Sequence, residues 1–148
     1  MGLYQLVNKK NYEILTDVRT LLRASTKTRL NDLDEDQIEI GRHQNAWPHI
    51  GIYPGVGSVY PLTWEVIIWV RTKGMGDETQ IQQVTELASE VYDELIGVAQ
   101  ANRMLGSEFY LDNEGDTDFN LIMDKTKSDY IYIYEIRIPY RWGGDLSA

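Results

Sequence analysis

The sequence of 148 residues contains no cysteine, so disulfide bonds and thiolate metal sites are excluded. It also lacks long apolar runs. The longest, such as residues 66–70, are much shorter than the roughly 20 residues that a membrane-spanning helix needs. The chain turns polar after its seventh residue, so no signal peptide is predicted and synthesis in the cytoplasm is expected.

The usual catalytic motifs are missing as well. There is no Walker sequence, paired-glycine dinucleotide fingerprint, nucleophile elbow or HExxH motif. The two histidines, His43 and His49, lack the helical spacing and the carboxylate support of a catalytic metal site. Acidic runs at residues 32–36 and 112–118 have the wrong residues at the glycine and glutamate positions of a calcium loop. These absences predict a protein with no enzymatic activity, no cofactor and no metal ion.

Basic side chains are scarce outside the first part of the chain. The net charge is −9, yet residues 1–30 carry six Lys and Arg against Glu13 and Asp17, whereas residues 31–148 carry eight against 21 acids. An acidic surface repels phosphate backbones, so no specific nucleic-acid binding is predicted. The opposite charges of residues 1–30 and 31–148 would favour head-to-tail contacts between copies. Alternatively, the acids only keep the surface solvated and the protein soluble.

Apolar residues at helical spacing predict two helices, at residues 11–23 and 78–104, and Asp77 with Gln80 resembles a capping box before the second. Pro54, Gly55 and Gly57 predict a turn or loop. Alternating apolar residues predict strands at residues 38–41, 47–53, 63–72, 119–124 and 130–141.

This order of elements predicts one α+β domain over residues 1–148. We expect a mostly antiparallel sheet of four to five strands with both helices packed on one face. Polar residues 25–36 are predicted to form a connection. Residues 1–7 and 143–148 are expected to be loose.

Two strands are predicted to carry apolar side chains on both faces. The even-numbered residues 64–70 supply a complete core face, so Ile67 and Trp69 point to the other side, as do Ile131 and Ile133 in the last strand. A neighbouring subunit could cover this second face, since Trp and Tyr are frequent interface anchors. Alternatively, a loop or the N-terminal segment of the same chain covers it.

A known family shares this order of signals. The run WPHIGIYPG at residues 47–55, the strand at 63–72, the acidic-faced helix and the final pair of strands resemble tail terminator (tail completion) proteins of long-tailed bacteriophages, the lambda gpU-like group. The resemblance covers residues 5–142 and lies in the pattern of elements. Residues 25–36 depart from it, as a polar insertion.

The resemblance implies a structural function. Members of this family are compact α+β domains that form a hexameric ring on the last ring of the tail tube, stop its growth and join the tail to the head. The implied partners are further copies of the chain, the tail tube protein, the head–tail connector and, in a contractile tail, the sheath protein. The implied location is the tail or neck of a virion that is assembled in the host cytoplasm, with DNA passing through the ring.

The resemblance also implies site residues, none of them catalytic. The family's loops match residues 51–61 and 73–77 here, and the acidic helix fits a channel that passes DNA without holding it. The candidate interface with a subunit or the tail tube comprises Trp69, Ile67, Ile131, Ile133, Tyr53, Val56, Tyr60, Lys73 and Met75. The candidate channel-facing acids are Glu86, Glu90, Asp93 and Glu94.

Two other functions fit the same sequence. One is another neck protein, such as a head-completion or connector adaptor protein. The other is a small cytosolic domain that binds a ligand and regulates a process. A gene position beside genes for tail-tube, tape-measure and connector proteins would favour the tail proteins over the regulator.

Overall fold

The computed structural model describes residues 2–41, 46–58, 62–97, 104–105, 109–111, 118–124 and 131–143. The helical elements are α1 (Leu3–Arg23), α2 (Thr28–Asn31), a 3-10 turn (Glu35–Gln37), α3 (Asp77–Tyr92) and a π-helical turn (Asp93–Gly97). The strands are β1 (Ile38–Ile40), β2 (His49–Ser58), β3 (Thr63–Lys73), β4 (Met104–Leu105), β5 (Phe109–Leu111), β6 (Asp118–Asp124) and β7 (Ile131–Trp142).

The described strands form one mixed sheet. Its order is β1-β2-β3-β7-β5-β4, and β6 also pairs with β7. The pairing of β1 with β2 is parallel, and the other described pairings are antiparallel. The predicted α+β class is therefore confirmed. The short strands β4 and β5 were not predicted, because two or three residues are too few to show an alternating pattern.

Both long helices pack on one face of the sheet. The register places Ile50 and Ile52 of β2 beside Val70 and Ile68 of β3, and Ile68 beside Ile136 of β7. Burying each of these large side chains contributes roughly 1.5–3 kcal/mol of transfer free energy, so this layer supplies much of the stability. To the same core α1 contributes Ile14, Leu15, Val18 and Leu22, and α3 contributes Val84, Leu87, Ala88 and Val91.

The first helix is longer than predicted. It begins at Leu3, so residues 3–7, which we expected to be loose, are helical. The Gln5 side chain accepts a hydrogen bond from the Gly2 backbone N–H (3.0 Å), and Val7 packs against the core. The polar residues 8–11 interrupt the apolar pattern and conceal this first part of the helix. Residues 144–148 of the expected C-terminal tail lie outside the described residues.

The third helix differs from its prediction at both ends. Its N-cap is Gly76, with φ of 96°, and no side chain caps it, so the predicted Asp77–Gln80 capping box is wrong. Asp77 instead accepts a hydrogen bond from the Tyr132 hydroxyl of β7. The α-helix ends at Tyr92 and continues as the π-helical turn, and Met104, the predicted last helical residue, lies in β4.

The predicted turn around Pro54 is also wrong, because β2 continues to Ser58. Pro54 pairs with Val66 of β3, and a register shift follows between Pro54 and Gly57. A Cβ on Gly55 would lie 2.8 Å from the backbone oxygen of Glu65, so a glycine is needed for this close strand approach. The result is an arm of two paired strands whose β2 half is largely exposed.

Candidate subunit interface

The sheet face opposite the helices carries the predicted second surface, which we call the open face. It comprises Tyr53 of β2, odd-numbered side chains of β3 from Glu65 to Trp69, and odd-numbered side chains of β7 from Ile131 to Arg137. These side chains are all half-buried. The alternation predicted for β3 is confirmed, since Ile67 and Trp69 lie between fully buried neighbours.

Trp69 lies at the centre of the open face. Its indole packs against the ring of Tyr53 with a centroid distance of 5.3 Å and an interplanar angle of 56°. Its Nε1 donates a hydrogen bond to Oε2 of Glu135 (2.8 Å). Gly51 is opposite Trp69 in the register, and a Cβ there would lie 2.8 Å from the Tyr53 ring. The missing side chain of Gly51 therefore makes room for the aromatic pair.

A chain of charged groups continues from Trp69 across the open face. Arg137 donates from Nε to Oε1 of Glu135 (2.7 Å) and from Nη1 to Oε1 of Glu65 (2.9 Å). Burial would raise the pKa of Glu135, but the hydrogen bonds from Arg137 and Trp69 outweigh it, so this pKa is below its usual value. The hydrogen bond with Glu135 in turn raises the pKa of Arg137. Trp69 is thus held in one orientation by a carboxylate that is itself fixed.

A cationic cluster lies at the end of the open face where β2 begins. The guanidinium Cζ of Arg71 is 5.4 Å from the centroid of the Trp47 ring, and the Lys73 ammonium is 5.7 Å from it. Arg71 and His49 are both buried. An Nη2 of Arg71 is 2.7 Å from Nδ1 of His49, and since arginine can only donate, this histidine nitrogen accepts. His49 is therefore the first residue of β2 and a buried partner of Arg71.

The remaining interface candidates do not join the aromatic pair. Val56 is 78% exposed on the β2 arm, and Met75 is 79% exposed in the loop before α3, beyond the opposite end of β3. Lys73 is exposed at that same end. Tyr60 lies outside the described residues. The structure thus gathers Tyr53, Ile67, Trp69, Ile131 and Ile133 on one face. It separates Val56 from Met75.

The four candidate channel acids fall into two groups. Glu86 forms an ion pair with Arg29 of α2. The Oε1 of Glu90 accepts hydrogen bonds from the backbone N–H groups of Arg29 (2.9 Å) and Leu30 (3.3 Å). These two acids therefore hold α2, within the predicted connection 25–36, against α3. The side chains of Asp93, which is exposed, and Glu94, which is half-buried, make no hydrogen bond to any described residue.

Two clefts lined by described residues were not predicted from the sequence, because each is formed by residues distant in the chain. One has a volume of about 300 Å³ and lies between α3 and β7. The other, of about 310 Å³, lies between the α2 segment and the opposite side of α3. The first is lined by Ala88, Ser89, Tyr92, Asp93, Tyr134 and Ile136. The second is lined by Arg29, Asp32, Leu33, Gln37, Pro48, Thr72, Gln83 and Leu87.

Within the described ranges, no three His, Asp or Glu side chains are grouped so that they could hold a metal ion. His43 and residues 112–117 of the second acidic run lie outside those ranges. Among the helices that the structure describes, none is both long and apolar enough to span a membrane. No protein-family model matches the chain, and no curated protein matches it.

Proposed function

We propose that this chain is a structural subunit of a phage tail, which forms a ring that caps the tail tube, ends its polymerisation and joins the tail to the head connector. The observation that carries the proposal is the open face, an aromatic and aliphatic surface on the side of the sheet away from the helices. In this proposal the chain acts through its surfaces and catalyses no reaction.

The composition of the open face supports a role in binding another protein. Interfaces have an apolar centre with aromatic anchors and a polar rim. Here Trp69, Tyr53 and Ile67 form the centre, and Glu65 and Arg137 lie beside them. An anchor held in one orientation before binding loses little side-chain entropy when the partner arrives. The hydrogen bond to Glu135 fixes Trp69 in this way.

The proposed partners follow from the ring. Two partners can cover the open face, namely the tail tube protein and a neighbouring copy of the chain. The head–tail connector, and the sheath protein in a contractile tail, would bind elsewhere on the ring. The negative net charge favours a channel that lets DNA pass without holding it. Asp93 and Glu94 are better channel candidates than Glu86 and Glu90, which are engaged by α2.

The proposal is tested by adding the purified chain to tail tubes of the virus that encodes it. We expect negative-stain images to show one ring at the growing end of each tube and no further elongation. Trp69→Ala should bind the tubes less, whereas Thr85→Ala, at an exposed position of α3, should bind like the wild type. A wild-type chain that neither binds tube ends nor limits tube length contradicts the proposal.

A second candidate is a small ligand-binding regulatory domain, and the cleft beside α2 favours it. The Thr72 side chain lines this cleft, is almost fully buried, and its hydroxyl has no hydrogen-bond partner among the described residues. A small polar molecule could supply one. A monomer whose melting temperature rises with a metabolite, and no longer rises in Thr72→Val, would support this function. A twelve-fold species would instead support a connector adaptor.

A further inference from the structure

An exposed tyrosine marks the outer side of α1. Tyr12 is 58% exposed, and its hydroxyl has no hydrogen-bond partner within the described chain. Lys9 lies three residues earlier, on the same side of the helix, and is also exposed. No acid among the described residues pairs with it. The outer side of α1 therefore presents an aromatic ring next to an ammonium group that forms no ion pair in this part of the chain.

The cleft between α3 and β7 has the complementary character. Its walls are largely apolar, from Ala88, Tyr92, Tyr134 and Ile136, and Asp93 adds a carboxylate. A volume of about 300 Å³ is at the lower end of the range for ligand pockets, which suits a single large side chain. The Asp93 carboxylate is exposed and makes no hydrogen bond to a described residue.

The two surfaces belong to different elements of the fold. Lys9 and Tyr12 lie on α1, whereas the cleft lies between α3 and β7. Ser89 and Tyr92 line this cleft, and α2 is held elsewhere on α3, by Glu86 and Glu90. A protein that carries two different, mutually complementary surfaces can associate head to tail, and such a contact closes into a ring when the rotation allows it.

We propose that Tyr12 of one copy inserts into the cleft between α3 and β7 of the next copy, where Lys9 pairs with Asp93. The inference rests on the proposed ring and names the contact between its subunits. The basic character of residues 1–30 and the acidic character of the remainder favour the same orientation. The contact assigns Asp93 to the subunit interface and leaves Glu94 as the channel candidate. It also leaves the open face to the tail tube protein.

Self-association of four test variants and one control variant, measured by sedimentation velocity and native mass spectrometry, tests this contact. Tyr12→Ala should weaken self-association by about tenfold or more, as expected for an aromatic anchor. Lys9→Asp and Asp93→Lys should each weaken it, and the double variant should restore it because the charges are exchanged. Thr20→Ala, at an exposed position about two turns further along α1, is the matched control and should assemble like the wild type.

The outcomes separate this contact from the proposed function. If the wild type forms rings and Tyr12→Ala forms them equally well, the contact is refuted and the ring function stands. Loss of assembly in both charge variants without recovery in the double variant refutes the pairing of Lys9 with Asp93. A wild type that stays monomeric at all concentrations refutes the contact and the ring together. Circular dichroism of each variant checks that the monomer remains folded.

Discussion

Replacing Trp69 with alanine removes the centre of the open face, and the structure allows the cost to the monomer to be worked out. The variant loses the hydrogen bond to Glu135 and the contact with Tyr53. A hydrogen bond to a charged group contributes about 1.5–3 kcal/mol when buried, and an aromatic pair adds about 0.5–1.5 kcal/mol. Because Trp69 is half-buried, we expect a loss of about 2–3 kcal/mol, less than the ~5–15 kcal/mol that stabilises a typical domain.

Trp69→Ala should therefore remain folded and lose much of its binding. The melting temperature of the monomer should fall by roughly 5–10 °C. Binding to tail tubes or to other copies should weaken by about thirtyfold, the effect of losing an interface anchor worth ~2 kcal/mol. Trp69→Phe is the matched variant, since it keeps a smaller aromatic ring and loses the N–H donor, so it should bind better than the alanine variant.

Two results would refute this reasoning. If Trp69→Ala unfolds the monomer, the residue belongs to the core of the chain and the open face is covered from within. If neither stability nor binding changes, the open face is idle surface, and the interface lies elsewhere, first of all on the exposed arm of β2.

Three further predictions concern stability. The folded pKa of Glu135 is below its ordinary value of 4.5, so the stabilisation that this carboxylate provides is complete above pH 4.5 and is lost as the pH falls through the lower folded pKa. The free energies of unfolding of the wild type and of Glu135→Gln should therefore converge on acidification. A difference that stays constant with pH would contradict this. Glu90→Ala should lower the free energy of unfolding in urea by about 1–2 kcal/mol, because the backbone N–H groups of α2 lose their acceptor. Glu78→Ala, at an exposed position, is the control and should change it little. Equal effects of the two variants would show that Glu90 does not hold α2. Gly51→Ala should lower the free energy of unfolding by about 1–3 kcal/mol, since the new Cβ would lie 2.9 Å from a backbone oxygen. Gly2→Ala is the control, because the nearest atom to its new Cβ would be 4.0 Å away. An unchanged melting temperature in Gly51→Ala would contradict the packing described for β2.

The sequence predicts the fold wherever an element is long and regular. The alternation in β3 gives both of its faces, and with them the positions of Ile67 and Trp69. Prediction from the sequence fails where a local signal competes with strand pairing in the folded chain. Pro54 and its neighbouring glycines have turn chemistry, yet pairing with β3 keeps them in a strand. The start of α1 is missed because the polar residues 8–11 interrupt the apolar pattern, although Val7 packs against the core.

The candidate site was predictable in its location and not in its bonds. Strand periodicity places Trp69 and Ile133 away from the core, but it gives no information on which residues are neighbours across strands. The link from Glu65 through Arg137 to Glu135 depends on the register of β3 with β7. The contact of Trp47 with Arg71 likewise depends on the pairing of β2 with β3. One cleft requires the packing of α3 on β7, and the other requires the packing of the α2 segment beside α3.

Native mass spectrometry of the purified wild-type chain over a range of concentrations tests the central claim most directly. A ring-forming tail subunit should show a six-fold species that grows with concentration at the expense of the monomer. The same species should diminish in Tyr12→Ala. A wild-type chain that remains monomeric at every concentration, and also beside tail tubes, would contradict the account.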